Sequence, residues 1–338
     1  MLVVMDKAAT PEMIQRVRDE IDRMGLSAQT LTDPHRLAFG ITGYNGDTSI
    51  ERLRALDGVS EVIRFGEQFT LASRATKAED TIVEVDGVSI GGDKFPVLAG
   101  PCSIESRDQA MTIAEIVAKE GVRIFRGGAF KPRTSPYSFQ GLGEKGLEIL
   151  REVREQFKLR IVTEAMDTET IELVAATADI IQIGSRNMQN YSLLRKAGAL
   201  GKPVMLKRGM AATVNEFLLA AEYILAAGNP NVILCERGLR IVANRTGNML
   251  DLSSIVDIRR ASHLPILADP SHASEQRYKV APLSRAAMAV GAHGLLIEVH
   301  HQPELALSDG PQALTPDDFR TLMVELRRMS VALNKELL

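Results

Sequence analysis

The sequence predicts an α/β protein in which a small α+β domain precedes a (β/α)8 TIM barrel. Eight short apolar runs recur after residue 94, and amphipathic helical patterns separate them. The first 66 residues follow a different order of elements, βαββαβ, which is typical of a ferredoxin-like or ACT-like domain. Eight strand–helix units over roughly 240 residues match the size of one barrel.

The N-terminal domain begins with the apolar strand Leu2–Met5. Thr10 and Pro11 are typical of a helix start, because Thr caps a helix N-terminus and Pro fits the first helical position. Gly25 fits the end of that helix. Further patterns predict strands at 28–31 and 36–42, a helix at 49–56 and a strand at 59–65. Because no metal-ligand spacing or phosphate loop occurs here, we expect a regulatory domain, with a purely structural or assembly role as the alternative.

Two shorter segments connect this domain to the barrel. Residues 67–80 are polar and weakly periodic, which predicts a linker. Residues 81–92 alternate apolar and polar side chains on both sides of Asp86-Gly87, and an Asp-Gly pair is a strong signal for a tight hairpin turn. The predicted divisions are therefore 1–66, the linker, and a barrel at 81–338 that begins with the hairpin.

Each predicted barrel strand is a mostly apolar run, which indicates a strand buried on both faces of a parallel sheet. The runs are 95–99, 122–126, 160–164, 179–183, 203–207, 231–235, 265–269 and 294–299. Helical patterns lie between them, for example at 108–119, 146–157, 167–176, 214–227 and 283–290. An open, doubly wound sheet is the alternative, but no glycine fingerprint for a dinucleotide follows the first run.

The composition excludes several classes of protein. A net charge of −3 over 338 residues argues against a general nucleic-acid or membrane-surface binder, and aromatic residues are too few for stacking platforms. The two cysteines offer no disulfide framework, which fits a reducing compartment. No apolar run approaches the roughly 20 residues of a membrane span. We therefore expect a cytoplasmic protein with neither nucleic acid nor membrane as partner.

Polar or ionisable residues follow all eight runs, and in a barrel these strand ends meet on one face, where barrel enzymes have their active sites. Six of these residues are cations: Arg126, Lys131, Arg133, Arg186, Lys207 and Arg237. So many like charges repel one another unless a multiply charged ligand or carboxylates neutralise them. The set therefore predicts a site for phosphate groups, and structural ion pairs with residues such as Glu164 and Glu236 are the alternative.

A second group at the strand ends combines a thiol, an imidazole and two carboxylates. Its members are Cys102, His272, Glu298 and Asp309. Sulfur, nitrogen and oxygen donors together suit a divalent transition metal, and the donor set alone does not choose among Mn, Fe, Co and Zn. Each residue by itself could equally be a packed or ion-paired side chain. His300 has the strand parity of Glu298, and the sequence leaves its role open.

Seven motifs at the strand ends together resemble one family. They are Gly-Pro-Cys-Ser at 100–103, Arg-Gly-Gly at 126–128, Lys-Pro-Arg-Thr-Ser at 131–135, Gln-Ile-Gly-Ser-Arg at 182–186, Leu-Lys-Arg-Gly at 206–209, Cys-Glu-Arg-Gly at 235–238 and Asp-Pro-Ser-His at 269–272. The whole chain resembles 3-deoxy-D-arabino-heptulosonate 7-phosphate (DAHP) synthase of type Iβ, with its fused regulatory domain. The resemblance implies a transferase that condenses phosphoenolpyruvate (PEP) with erythrose 4-phosphate in the shikimate pathway.

The resemblance also implies a role for each site residue. Arg186, Lys207 and Arg237 would hold the PEP phosphate, with Ser185 also among the substrate-binding residues; Arg126 and Lys131 would engage the PEP carboxylate; Arg133, Thr134 and Ser135 would bind the phosphate of erythrose 4-phosphate; and Cys102, His272, Glu298 and Asp309 would bind one divalent metal. Lys131 and Glu164 would handle protons, so the expected catalytic residues are these two with Cys102 and His272.

The nearest alternative is 3-deoxy-D-manno-octulosonate 8-phosphate synthase, which uses arabinose 5-phosphate. That family typically has Lys-Ala-Asn-Arg-Ser-Ser where this chain has Lys-Pro-Arg-Thr-Ser at 131–135. An alternative from another class is a non-catalytic anion-binding or amino-acid-binding protein. In it the complete cation and metal-ligand sets would have no use.

The fused domain implies feedback by an aromatic amino acid, Tyr or Phe, bound between N-terminal domains of a homotetramer. The strand at 28–32 lacks the His-x-Ser pattern that we associate with tyrosine binding. Gln29 and Leu31 occupy those positions. We therefore expect inhibition to be altered or absent.

Overall fold

The computed structural model describes residues 2–33, 36–42, 50–63, 69–241 and 248–338. The chain divides into two units, Met1–Phe69 and Thr70–Leu338. The elements of the first unit are β1 (Leu2–Met5), α1 (Pro11–Arg23), β2 (Ser27–Asp33), β3 (Arg36–Thr42), α2 (Ile50–Arg54) and β4 (Val59–Ile63). The strands form one antiparallel sheet in the order β2-β3-β1-β4, so the predicted βαββαβ arrangement is confirmed. The predicted extensions of α2 to residue 49 and of β4 to 65 lie outside the described residues.

Local sequence signals explain how α1 is placed on this sheet. The Thr10 side chain accepts a hydrogen bond from the Met13 N–H, and Gly25 takes a left-handed φ of 70° just after the helix. Val17 and Ile21 are fully buried and belong to one apolar cluster with Phe39 of β3. Burial of this apolar face holds the helix on the sheet.

A β-hairpin precedes the first strand of the barrel. It consists of β5 (Val83–Val85) and β6 (Val88–Ile90), which pair antiparallel. Asp86 and Gly87 connect them with φ values of 45° and 84°, the positive pair that a two-residue turn of this type requires. The four apolar hairpin side chains are buried in one cluster with side chains from the barrel strands. The hairpin therefore closes the N-terminal end of the barrel.

Beyond the hairpin, the described residues of the second unit contain twelve strands, and eight of them form a closed parallel barrel. In chain order the strands are β7 (Lys94–Phe95), β8 (Val97–Gly100), β9 (Ile124–Arg126), β10 (Arg160–Ala165), β11 (Ile180–Ile183), β12 (Val204–Lys207), β13 (Val232–Glu236), β14 (Leu239–Arg240), β15 (Asn248–Met249), β16 (Ile266–Ala268), β17 (Leu295–Glu298) and β18 (Glu336–Leu337). The barrel contains β8 to β13, β16 and β17, while β7 pairs with β18 and β14 with β15. All eight predicted runs form barrel strands, and the open-sheet alternative is wrong.

Helices cover the outside of the barrel. They are α3 (Arg107–Lys119), α4 (Glu144–Phe157), α5 (Ile171–Thr177), α6 (Tyr191–Ala199), α7 (Val214–Ala226), α8 (Leu252–Ala261), α9 (Pro270–Ser274), α10 (Arg277–Ala289) and α11 (Pro316–Ala332). The prediction of a helix at 283–290 was wrong at its start, because α10 continues through Pro282. A proline removes one backbone hydrogen bond, and burial of Val280 and Ser284 keeps the helix on the barrel. Among the described residues, no helix has the length and apolar character needed to cross a membrane.

The described part of the predicted linker lies against the barrel. The Glu222 carboxylate accepts hydrogen bonds from three consecutive backbone N–H groups, those of Thr70, Leu71 and Ala72, at 2.6–2.9 Å. The Arg74 N–H donates to the Ala261 carbonyl at 2.8 Å. Residues 70–80 therefore belong to the barrel unit. The predicted domain limits at 66 and 81 stay a prediction.

Candidate active site and metal centre

The carboxyl ends of the barrel strands surround one cavity of about 710 Å³. All six predicted cations line it: Arg126, Lys131, Arg133, Arg186, Lys207 and Arg237. The polar residues that line the same cavity include Thr134, Ser135, Glu164, Ser185, His272 and Asp309. The structure thus brings together residues that lie up to 183 positions apart in the chain, as the strand-end argument predicts.

Four potential metal ligands meet beside this cavity, and two of them, His272 and Asp309, line it. The ligand atoms of Cys102, His272, Glu298 and Asp309 all lie within 4.8 Å of one another. Cys102 Sγ is 2.8 Å from Asp309 Oδ2, and His272 Nε2 is 3.2 Å from Glu298 Oε1. Four separate segments of the barrel supply these groups: the loop after β8, helix α9, the end of β17 and the loop that follows it. The sequence prediction of one cluster is therefore met in its geometry.

The chemistry of this donor set fits a divalent transition metal. One sulfur, one imidazole nitrogen and two carboxylate oxygens match the ligands that such ions prefer. Burial, followed by the charge of Glu298, raises the pKa of the Cys102 thiol to about 12. The thiol therefore keeps its proton and donates a hydrogen bond to Asp309 Oδ2. A metal that binds here must displace that proton, because the thiolate is the ligand form of cysteine.

A buried carboxylate outside the predicted set supports the cluster. Asp269 is completely buried, and its Oδ2 lies 2.7 Å from His272 Nδ1 and 2.5 Å from Lys207 Nζ. Although burial raises the pKa of Asp269, the charges of His272 and Lys207 lower it well below its usual range. Asp269 therefore faces one edge of the imidazole as an ion-pair partner, although Nδ1 makes no hydrogen bond among the described residues, and Nε2 faces the other ligands. The sequence places Asp269 at a strand end and in the Asp-Pro-Ser-His motif, but gives it no role at the site.

Glu298 is held on both of its oxygens. Arg126 Nη1 donates to Oε1 at 3.0 Å, and Gln312 Nε2 donates to Oε2 at 2.5 Å. The Ser271 hydroxyl accepts the Glu298 backbone N–H at 3.0 Å. The carboxylate thus has one orientation before any ligand binds. Gln312 was not predicted, because nothing in its spacing distinguishes it from an ordinary loop residue, and Ser271 was noted only as part of the Asp-Pro-Ser-His motif.

Two guanidinium groups keep unused donors at the cavity. Arg126 and Arg237 are both buried, and Arg126 Nε and Arg237 Nη1 have no hydrogen-bond partner among the described residues. Buried donors are otherwise almost always paired. Unpaired cationic donors in a cavity lined by these six cations and by Arg240 are the arrangement that an anionic ligand completes.

Lys131 and Glu164 occupy the inner wall. Lys131 Nζ lies 2.9 Å from Cys102 Sγ and 3.2 Å from the Cys102 carbonyl oxygen, and its side chain is buried. Glu164 accepts a hydrogen bond from Gln182 Nε2 at 3.0 Å. A Cβ atom at Gly184 would overlap Glu164 Oε1, so the absence of a side chain there makes room for this carboxylate.

The outer wall is more open. Thr134 and Ser135 are exposed, whereas the Arg133 side chain is only 19% exposed. Arg133 Nη2 donates to the Leu307 carbonyl at 3.3 Å, and its Nη1 lies 4.0 Å from Asp309 Oδ1. Arg186 is exposed where it lines the cavity. These side chains leave room between them for a ligand that enters from solvent.

Two neighbouring residues have structural roles. Arg208 does not line the cavity and instead pairs with Glu236 at 2.8 Å and Asp251 at 3.2 Å. For this arginine the ion-pair alternative holds. Cys235 is completely buried in the apolar cluster of the barrel interior, and burial raises the pKa of its thiol. It is therefore a packed thiol and no nucleophile.

A barrel with a cluster of mixed-donor metal ligands beside a cavity lined with cations belongs to the class of metal-dependent enzymes that act on phosphorylated substrates. The comparisons with known proteins narrow this class. The chain belongs to the DAHP synthetase I family, which its residues 74–335 match. Residues 1–67 match the DAHP synthase ferredoxin-like domain.

The similar proteins from Thermotoga maritima carry the name of one enzyme, and their structures match the architecture of this chain. Phospho-2-dehydro-3-deoxyheptonate aldolase of Thermotoga maritima is 47% identical over 333 residues, which are 98% of this chain and 98% of that protein. The crystal structure of that DAHP synthase has a TM-score of 0.95 and covers 100% of this chain and 99% of its own, at 46% identity. A truncated form of the Thermotoga maritima enzyme covers 80% of this chain and 99% of its own, with a TM-score of 0.75 and 49% identity.

More distant relatives carry the name of the alternative activity. The 2-dehydro-3-deoxyphosphooctonate aldolase of Syntrophobacter fumaroxidans is 32% identical over 262 residues, which are 72% of this chain and 90% of that protein. This likeness is lower and shorter than the likeness to the heptonate enzyme. The comparisons therefore favour the four-carbon acceptor.

Proposed function

We propose that this chain condenses PEP with D-erythrose 4-phosphate and water, giving DAHP and inorganic phosphate. The observation that carries the proposal is the cavity in which the six predicted cations lie beside the ligand cluster of Cys102, His272, Glu298 and Asp309. Two phosphorylated substrates account for so many cations in a chain whose net charge is −3. Membership of the DAHP synthetase I family supports the same reaction.

PEP occupies the inner part of the cavity in this proposal, and its phosphate extends to the outer wall, where Arg186 is exposed. Arg186, Lys207 and Arg237 hold its phosphate with the help of Ser185, and Arg126 with Lys131 engages its carboxylate. The unused donors on Arg126 and Arg237 support these assignments, because each offers a buried N–H to an anion. Lys207 shares Asp269 with His272, so the PEP phosphate site is linked to the metal cluster through one carboxylate.

Cys102, His272, Glu298 and Asp309 hold the divalent metal. When bound, such an ion acts as a Lewis acid that polarises the aldehyde of the sugar. The residues around it do the rest: Asp269 orients His272, and Arg126 with Gln312 fixes Glu298. The identity of the metal among Mn, Fe, Co and Zn is open to experiment.

The reaction forms a carbon–carbon bond between the PEP methylene and the aldehyde carbon. Lys131 supplies the proton that the aldehyde oxygen takes up, and its burial beside Cys102 keeps it close to the metal cluster. Water adds to the cationic PEP carbon and gives up a proton to Glu164. The resulting hemiketal phosphate then loses inorganic phosphate by cleavage of the carbon–oxygen bond. Its hydroxyl proton goes to the leaving phosphate, which leaves the ketone of the product, and the proton on Glu164 returns to Lys131 through solvent.

Arg133, Thr134 and Ser135 bind the phosphate of the aldose and thereby select its length. A steady-state assay of phosphate release from PEP tests this assignment with erythrose 4-phosphate and arabinose 5-phosphate as acceptors. We expect release with the four-carbon sugar and little with the five-carbon sugar. Preference for arabinose 5-phosphate would establish the octulosonate reaction instead, and release with neither would support a non-catalytic binding protein.

Regulation by Tyr or Phe at the N-terminal unit and assembly as a homotetramer are further proposals. The match of residues 1–67 to the DAHP synthase ferredoxin-like domain supports an effector site there. The side chains of Gln29 and Leu31, on which the expectation of altered inhibition rests, lie outside the described residues. Titration of Tyr, Phe and Trp against the initial rate tests the regulation. A cytoplasmic location stays a prediction of the cysteine usage.

A further inference from the structure

The loop that follows the last barrel strand serves two parts of the cavity at once. It carries Asp309, and the carbonyl of Leu307 accepts a hydrogen bond from Arg133 at 3.3 Å. Asp309 has a left-handed φ of 55°, which is uncommon for a residue with a side chain and costs free energy unless the surroundings hold it. Contacts elsewhere must therefore fix residues 307–309 in this conformation.

Glu105, in the loop after the first barrel strand, provides such contacts. Its Oε1 accepts the Leu307 backbone N–H at 2.9 Å and the Ser103 hydroxyl at 3.2 Å. The Ser103 hydroxyl oxygen also lies 2.5 Å from that of Ser308. The two residues immediately before Asp309 are thus tied to one carboxylate, directly at Leu307 and through Ser103 at Ser308.

His300 completes this arrangement from the other side. Its Nδ1 accepts the Gln302 N–H at 3.0 Å, so the proton of the neutral ring lies on Nε2. His300 Nε2 faces Glu105 Oε2 at 3.7 Å and has no hydrogen-bond partner among the described residues. The imidazole is buried, and it is directed at the carboxylate of Glu105.

We infer that Glu105 is a positioning residue that sets the metal ligand Asp309 and the aldose-phosphate residue Arg133 through one loop, with the buried His300 imidazole facing its carboxylate. The inference rests on the proposed function for the aldose and on the ligand cluster for the metal. Loss of Glu105 frees the loop, so both metal affinity and aldose binding weaken. The PEP side of the cavity keeps its own contacts and changes little.

The test compares Glu105→Ala with the wild-type full chain after removal of metal by chelation. Co²⁺ titration, followed by the cobalt–thiolate charge-transfer absorbance, gives the metal Kd without any turnover. Removal of a residue that orients a ligand typically costs about 10–100-fold in affinity. We expect a Kd increase in that range, a similar increase in KM for erythrose 4-phosphate, and a KM for PEP within about twofold of wild type.

Two further variants keep the inference testable if Glu105→Ala does not fold. Glu105→Gln retains an acceptor for the Leu307 N–H but loses the charge, and Ser308→Ala removes only the hydroxyl contact. Both should shift the Co²⁺ Kd in the same direction by less. Glu304→Gln is the matched control, because Glu304 lies on the same loop with a side chain that is 72% exposed.

A wild-type Co²⁺ Kd in all three variants would overturn the inference. So would an increase in the KM for PEP as large as that for the aldose, because it would show general damage to the cavity. If the wild-type chain releases no phosphate from PEP and erythrose 4-phosphate, the proposed function fails. The Co²⁺ measurements would still decide the role of Glu105.

Discussion

The two ends of the barrel differ in the side chains that they bury. At the carboxyl end, charged side chains surround a cavity, and one buried donor each of Arg126 and Arg237 has no partner in the part of the chain that the structure describes. At the amino end, the hairpin β5–β6 fills the barrel with apolar side chains, and Arg160 pairs with Asp86 beside it. The first end is organised for a ligand and the second for stability. Substitutions at the carboxyl end should therefore cost activity, and those at the amino end should cost stability.

The largest effect is expected for Cys102→Ala. Loss of the thiolate ligand should reduce phosphate release by at least about 10³-fold, because the polarising ion is worth several kcal/mol. The free energy of unfolding, measured in urea with chelator present, should change by roughly 1 kcal/mol or less. Cys235→Ala is the matched control: it removes the other buried thiol, should cost about 1–2 kcal/mol of stability and should keep its activity. Equal activity of both variants would contradict the division between the ends.

Ile90→Ala should show the opposite behaviour. Ile90 is completely buried in the hairpin cluster, and truncation of such a side chain costs about 2–5 kcal/mol. We expect the free energy of unfolding in urea to fall by that amount, and kcat/KM for both substrates to stay within about twofold of wild type. Ile82→Ala is the control, since Ile82 is 50% exposed beside the same hairpin and should cost less than about 0.5 kcal/mol. A fall in kcat/KM equal to that of a cavity variant would show that the ends are coupled.

Arg133→Ala refines the comparison within the carboxyl end. Charge-assisted hydrogen bonds are worth about 1.5–3 kcal/mol, so KM for erythrose 4-phosphate should rise roughly 10–100-fold. The KM for PEP should stay within about twofold, because Arg133 lies on the outer wall. Arg107→Ala, at an exposed ion pair with Glu152, should change neither constant. An equal rise in both constants would contradict separate substrate positions.

The smallest effect concerns the pH dependence of stability at the amino end. His293 is buried before β17, and its Nδ1 accepts the Ile266 N–H at 3.1 Å, which requires an unprotonated nitrogen. Burial lowers the pKa of His293, with Arg259 and Lys335 acting the same way and Asp80 opposing them.

The sign of the effect follows from proton linkage. The unfolded chain binds the proton more readily than the folded chain, so stability falls as pH decreases below about 6.5. Urea unfolding between pH 7.5 and 5 should show a smaller loss in His293→Gln than in wild type. A steeper loss in the variant would contradict a neutral buried imidazole.

The positions of the strand ends in the sequence made part of the site predictable. Parallel strands place their carboxyl ends on one face whatever the loops do, so Cys102, Lys207 and Glu298 could be grouped from sequence position alone. The ion pairs could not be assigned, because Asp269 contacts Lys207 and His272 only once α9 has folded back over the strand end. The same sequence spacing would also allow Lys207 or His272 to pair with another carboxylate.

The loop that carries Asp309 was less predictable still. Its contacts with Glu105 depend on a left-handed residue, which a sequence pattern does not reveal when that residue is Asp rather than Gly. The two-residue strands β14 and β15 are likewise too short to produce a periodic signal. Burial patterns thus determine the barrel, whereas single side-chain contacts across loops determine the details of its active end.

The requirement for one metal at the carboxyl end is the most direct test of the whole account. The full chain is stripped with chelator, and phosphate release from PEP and erythrose 4-phosphate is measured while Mn²⁺ is returned in steps. We predict that activity disappears on stripping and returns in proportion to added metal up to one equivalent per chain. Full activity after exhaustive chelation would contradict the account.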